Sequence, residues 1–263
     1  ISSGGSNAVA ITTSADAVNF ETSDVILQNN AATTITTAGG AVDFAAALEA
    51  NGGDNDSLVI SSGAGDVTFT GAIGVTHELG GLDVNAATAG SGDITFSGNI
   101  GATGGSAQPG VVGTTAIGTT TTENVHFAGS VYSFDGGTTT ITATTDSDGS
   151  GDDENIEVGA TASFLAAGEA ITFAGGKIDL ANDANLTITS TGGAITVSGV
   201  AGNSDETVTI NADGGSTSTE TVSLGDVGDS GHTEIHTLTV TGDGGITLTG
   251  NIYTSLDGSA ADI

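Results

Sequence analysis

The chain contains no cysteine, methionine, tryptophan or arginine, one lysine (Lys177) and one proline (Pro109). Without cysteine, no disulfide framework holds it together. A single cation excludes nucleic-acid binding, whose affinity comes from lysines and arginines neutralising phosphates. It also disfavours anionic membranes, for the same electrostatic reason. Enzymes that clamp phosphates or carboxylates with arginine or lysine lose their main tool here. Sugar-stacking platforms have only Tyr132 and Tyr253 to draw on. No apolar run is long enough to span a bilayer, so no transmembrane segment is expected. The chain opens on Ile1 without a signal-like pattern and reads as a portion of something longer.

What is present is acid, glycine and short apolar triplets. The 263 residues include 32 aspartates and glutamates and 44 glycines, for a formal charge of −31. Carboxylates at this density repel one another unless counter-ions intervene. Divalent cations or external salt would supply them, which points to an extracellular or cell-surface setting in a saline environment. A high net charge also favours disorder. The 37% hydrophobic content and its regular spacing oppose that.

Triplets of the form apolar–polar–apolar recur: Val18-Asn19-Phe20, Val42-Asp43-Phe44, Val67-Thr68-Phe69, Ile94-Thr95-Phe96, Ile171-Thr172-Phe173 and Ile195-Thr196-Val197. Alternation with β-branched residues reads as short strands with one buried face, separated by glycine, asparagine, aspartate and serine turns. The nearest thing to a helical segment is Phe44 to Ala50. The closing apolar residues Phe20, Leu27, Ile35 and Phe44 are 7, 8 and 9 apart, and Phe173, Leu180, Ile188 and Val197 repeat those steps. Three strands per ~24 residues is the rhythm of a three-sided parallel β-helix whose coils stack at roughly 4.8 Å. The expected rod has nine or ten coils and is about 45 Å long.

The two blocks also match in sequence. Residues 17–44 align without gaps to 170–197, with 11 of 28 identical at an offset of 153. The correspondence continues through 58–60 with 208–210, 82–84 with 238–240 and 92–103 with 244–254. The chain therefore divides into the end of a preceding repeat (1–16), a full repeat (17–169) and an incomplete second one (170–263). A tandem array of β-sandwich modules is the competing architecture. It is disfavoured because most strands are only three or four residues long and no core tryptophan is present.

The segments "GDVTFTGAIG", "LDVNAATAGSGDITFSGNIG" and "ITFAGGKIDLANDANLTITSTGGAITVSG" resemble the repeat regions of giant bacterial surface proteins such as filamentous-haemagglutinin-like adhesins. That resemblance implies a right-handed parallel β-helix and a surface or matrix role, with no catalytic residues.

Several segments carry candidate chemistry. In "TDSDGSGDDENIEV", Asp146, Asp148, Ser150, Asp152, Glu154 and Glu157 have the spacing of a twelve-residue calcium loop, with Gly151 at the turn. It lies in a gap of 15 residues between Ile141 and Ile156, as an insertion would. The bland alternative is a solvated acidic turn. "GGDNDSLVI" (52–60) is similar to a calcium-binding nonapeptide one residue short, which nominates Asp54 and Asp56 as calcium ligands beside the alternative of a decorated turn. His232, Glu234 and His236 alternate as zinc ligands could. However, Leu238 and Val240 share their parity and should point inward, so exposed decoration is the better reading. His126 should point outward between two core residues, and His77 should lie in a turn. Threonine runs at 33–37, 118–124 and 138–145 would form outward ladders on a β-helix.

The expected protein is a non-enzymatic structural solenoid, with calcium as its one cofactor. Its partners would be further copies of itself, by end-to-end or lateral packing. The alternative is a calcium-dependent adhesin for a glycan, a host surface or ice.

Overall fold

The computed structural model describes residues 8–28, 30–52, 56–86, 92–103, 110–143, 154–202, 205–213, 219–228 and 235–253, with the side chains of Glu154 and Asn155 left out. Among these residues there is no helix, and every named strand pairing is parallel. The fold is a parallel β-helix, as the triplet spacing predicts.

Each coil visits three faces in fixed order, usually with one strand on each; coils three and four reach face three through the single bridges of Ile73 and Ile100. In the first coil the strands are Val9–Thr13 on face one, Val18–Phe20 on face two and Val25–Leu27 on face three. The next coil repeats the order with Ala32–Thr37, Val42–Phe44 and Leu48–Ala50, and the pairs stack in register: Ile11 on Ile35, Phe20 on Phe44, Val25 on Leu48. Nine coils are complete, and a tenth begins with Gly245–Leu248. Phe44 to Ala50 is not helical. Its two ends are strands on faces two and three, because burial of Phe44, Leu48 and Ala50 against neighbouring coils overrides local propensity.

Alternation places the core. Val42, Phe44, Val67, Phe69, Ile94 and Phe96 are buried, while Asp43, Thr68 and Thr95 between them are only partly so. On face two, Phe20, Phe44, Phe69, Phe96 and Phe127 form a column of stacked rings with centroids 4.7, 5.0, 5.0 and 5.3 Å apart. The separations follow the coil pitch, and parallel in-register strands leave the rings no other arrangement. Above Phe127 the aromatic path leaves this column. It turns edge-on to Tyr132 and Phe164 of face three, and from Phe164 to Phe173 of face one. The upper part of face two is aliphatic, with Val158 and Leu180 in its rungs.

Faces one and two merge in the later coils. Ile195–Ala201 is one strand whose first half pairs with Ile171–Gly175 and whose second half pairs with Lys177–Leu180. Thr221–Val227 continues both halves.

The sequence repeat does not map onto the same face. Phe20 is on face two, and its equivalent Phe173 is on face one. Ile60 is on face one, and its equivalent Ile210 is on face three. Phe96 on face two corresponds to Leu248 on face one. Counted as face positions, with the single-bridge residues Ile73 and Ile100 and each half of the merged strands included, equivalent positions are 17 apart, one short of six full coils. The rotation is consistent through the whole second copy.

Corners are built from glycine and from polar side chains reaching one coil along the rod. Gly98 and Gly129 turn the chain from face two to face three. A Cβ at Gly98 would sit 2.5 Å from the carbonyl oxygen of Gly71, and one at Gly129 would sit 2.7 Å from that of Gly98. Neither position has room for any other residue.

Candidate acidic corners

Among the described residues, several acids in turns, and two within strands (Glu49 and Asp226), hold the neighbouring coil by its backbone. Asp24 Oδ1 accepts from Ala47 N at 3.3 Å, Asp66 Oδ1 from Asp93 N at 3.1 Å and Asp226 Oδ1 from Asn251 N at 2.7 Å. The Glu49 carboxylate accepts from the consecutive N–H groups of Val75, Thr76 and His77 at 2.9–3.3 Å. Asn99 Oδ1 does the same for Ser130 and Val131 at 2.8 and 3.1 Å. Turn N–H groups have no ladder partner, so each of these bonds satisfies a donor that would otherwise depend on water.

Asp56 belongs to this set. It is fully buried, and its Oδ1 accepts from Ala31 N, one coil back, at 3.2 Å. Its carbonyl accepts from Gly80 N, one coil ahead, at 2.7 Å. Its Oδ2 has no hydrogen-bond partner among the described residues. The repeat-equivalent residue, Glu206, is also fully buried. Its Oε1 accepts from Asp183 N at 3.2 Å and its carbonyl from His236 N at 3.0 Å. The same corner device therefore recurs although the second copy is turned by one face. Thr37 and its equivalent Ser190 show a second case. Both are buried, and each hydroxyl donates to a corner carbonyl: Thr37 to Gly40 of its own turn, and Ser190 to Glu169 one coil back.

Two carboxyls are pushed above the ordinary aspartate range. Asp93 is raised by burial first, then by the charges of Asp66 and Glu123, against a bond from Asn124 Nδ2 at 3.2 Å. Asp243 is raised chiefly by the neighbouring charge of Asp213. The Tyr132 hydroxyl is also raised by burial; it accepts from Gly129 N at 2.7 Å.

Of the calcium-loop residues, Asp146, Asp148, Ser150 and Asp152 lie outside the described residues, as does Asp54. Glu154 and Glu157 belong to the strand Glu154–Val158. Glu157 is in register with His126 on one side and Asp179 on the other, along face two. The strand carries a register shift between Glu154 and Ile156, where one extra residue enters opposite Lys177 and Ile178. His232 and Glu234 also lie outside the described residues. His236 is exposed and precedes the strand that buries Leu238. His126 sits partly exposed between buried Val125 and Phe127. Among the described residues, no group of three or more histidines, aspartates or glutamates is close enough to hold a metal ion.

The corner role of Asp56, Glu49 and Glu206 escaped the sequence reading, which treated acids as ligands or solvated decoration. One signal was available: an acid two residues before the first core residue of a strand, as in Asp56-Ser57-Leu58 and Glu206-Thr207-Val208. No helix among the described residues is long and apolar enough to cross a membrane. No family of known proteins matches the sequence, nor does any curated protein or solved structure.

Proposed function

We propose that this chain is a structural segment of an extracellular bacterial fibre or surface layer, assembling end to end and strengthened by calcium. The observation that carries the reading is the stack itself. Nine coils repeat one three-face outline in parallel register, and carboxylates such as Asp24, Glu49 and Asp66 bind the backbone of the next coil. Each coil is held by the coils beside it, so a further coil of like outline, from the same chain or from another copy, extends the rod through the same ladder hydrogen bonds. In the purified chain Ile246 and Leu248 of the tenth coil are 46% and 51% exposed and would carry that contact. Stacking of one copy on the next joins two unlike surfaces, which is the geometry of an open filament. Repulsion between highly charged copies opposes that contact, and screening or calcium relieves it.

Electron microscopy of the purified chain, with and without calcium, tests this. Filaments are expected in calcium, and Leu248→Lys with Ile246→Lys should abolish them. Monodisperse short rods under all conditions would overturn the reading.

A calcium-dependent adhesin is the second reading. It is favoured by a shallow recess of about 330 Å³ on face one, where Ser57, Asp83 and Thr114 offer hydrogen-bonding groups beside Val59 and Ala116. Monodisperse rods that bind a glycan array only in calcium would support it.

A further inference from the structure

The corner that ends the second coil brings an asparagine, a glycine and a histidine together. It leads from the strand Leu48–Ala50 on face three to the strand Ser57–Ser61 on face one of the next coil. Asn51 and Gly52 open it, and both are exposed. No other asparagine in the chain is followed by glycine. The backbone leading into the corner is fixed: Ala50 N donates to His77 O at 3.2 Å and Asn51 N to Leu27 O at 2.8 Å. The bonding stops there. Among the described residues, Gly52 N donates no hydrogen bond.

His77 is held against this corner from the coil ahead. Its N–H donates to Glu49 Oε2 at 2.9 Å, and its carbonyl accepts the bond from Ala50 N. These two bonds set its imidazole over Gly52. A Cβ on Gly52 would lie 2.8 Å from Cε1, 3.0 Å from Nδ1 and 3.3 Å from Nε2 of the ring. A glycine nitrogen is about 2.5 Å from the place of its Cβ, so Nδ1 lies within about 5.5 Å of Gly52 N, in reach directly or through one water. His77 is itself exposed, so water has access.

An asparagine before a glycine carries an electrophile and a nucleophile in adjacent residues. The electrophile is the side-chain amide carbon, and the nucleophile is the next backbone nitrogen. Glycine adds no Cβ to hinder their approach and leaves the backbone free to turn. Asn99 and Asn185 differ on both counts. They precede Ile100 and Leu186, and their amide oxygens hold N–H groups of the next coil.

We propose that Asn51 is a self-modifying site, converted to a carboxylate through a cyclic imide with Gly52, with His77 as the base. Gly52 N attacks Cγ of Asn51, and a C–N bond forms. His77 takes the proton from Gly52 N. The Cγ–Nδ2 bond then breaks, and the imidazolium returns a proton to the nitrogen that leaves as ammonia. Water adds to one of the two imide carbonyls and opens the ring. One opening leaves aspartate; the other leaves isoaspartate, whose main chain runs through the side-chain methylene. Because Gly52 N donates to no partner among the described residues, ring closure breaks no ladder bond there. The product adds a negative charge close to Glu49, whose carboxylate already holds the N–H groups of Val75, Thr76 and His77. The reaction goes beyond the structural reading above and does not depend on it.

Storage of the purified chain at neutral pH, sampled by peptide mass mapping and an ammonia assay, tests this. The Asn51 peptide should change in mass from amide to acid, as a mixture of aspartate and isoaspartate, while the Asn99 and Asn185 peptides stay as they are. General bases in direct contact contribute about 10²–10⁴-fold, so a base working through one water should give about tenfold, lost in His77→Ala. Free imidazole should restore the rate of His77→Ala, a rescue that a merely structural histidine would not show. Gly52→Ala should stop the reaction, because its Cβ hinders the attack and displaces the ring. Conversion of Asn51 in urea but not in the folded chain overturns the proposal. So does conversion of His77→Ala at the wild-type rate. Slow conversion of His77→Ala that imidazole does not rescue assigns the ring a structural role and overturns its part as base. Filament formation has no bearing on any of these readouts.

Discussion

The lower five coils and the upper coils are built on related sequences and solve the same packing problem differently. Below, one column of stacked phenylalanines fills face two from Phe20 to Phe127. Above, the equivalent positions hold Phe173, Val197, Leu224 and Leu248, one aromatic followed by three aliphatics, and all four have moved to face one. The aromatic column is therefore not a requirement of the coil. What the repeat retains is an apolar residue at each inward position and a polar bond at selected corners, as at Asp56 and Glu206. A solenoid core is a sum of nearest-neighbour contacts, so each coil need only match those above and below it. Three faces with the same inward demand accept the same sequence in any of three rotations.

The largest effect should come from the column itself. Phe96→Ala removes a fully buried ring between two others and should cost about 3–5 kcal/mol. Its repeat equivalent, Leu248→Ala, is half exposed and should cost less than about 1 kcal/mol in the isolated chain. Urea denaturation combined with hydrogen exchange resolves the two, since coils of a solenoid can open locally. Equal costs would mean that the two regions share one core logic after all.

Next comes the corner. Gly98→Ala places a Cβ against the Gly71 carbonyl and should cost more than about 2 kcal/mol. Gly39 also turns a corner, but with open space around its added Cβ; Gly39→Ala pays only for its φ of 110° and should cost about 1 kcal/mol. Thermal melts of the two variants separate crowding between coils from backbone strain.

The smallest effect is with pH. Asp93 has its carboxyl raised in the folded chain by burial and by Asp66 and Glu123. Between the ordinary aspartate range and that raised value, the folded state binds more protons than the unfolded one, so stability rises as pH falls into that window. Melting temperature at low salt should increase from pH 7 toward the upper carboxylate range, by about 2–4 °C per kcal/mol gained. Asp93→Asn should flatten the rise. A melting temperature that falls over that interval would show that other acids outweigh Asp93.

The face-two strands of the first five coils were legible because each is an isolated triplet with aromatic or β-branched ends, such as Val67-Thr68-Phe69. The 24-residue rhythm was legible for the same reason. The one-face rotation was not, because counting strand spacing fixes the pitch and leaves the face unnamed. Leu79 and Val111 were also hidden: they join face three by single bridges amid glycine-rich turns, with no alternation around them. Asp56 was visible as an acid in a turn, but its full burial depends on coils before and after it that no local window contains.

The spacing of 17 face positions between equivalent residues has one more consequence. Seventeen and three share no common factor. In any tandem array of this repeat, a given outward side chain would migrate round the rod like the stripe on a barber's pole, returning to its starting face only at every third repeat. Whatever such a side chain grips would then be offered in three directions in turn.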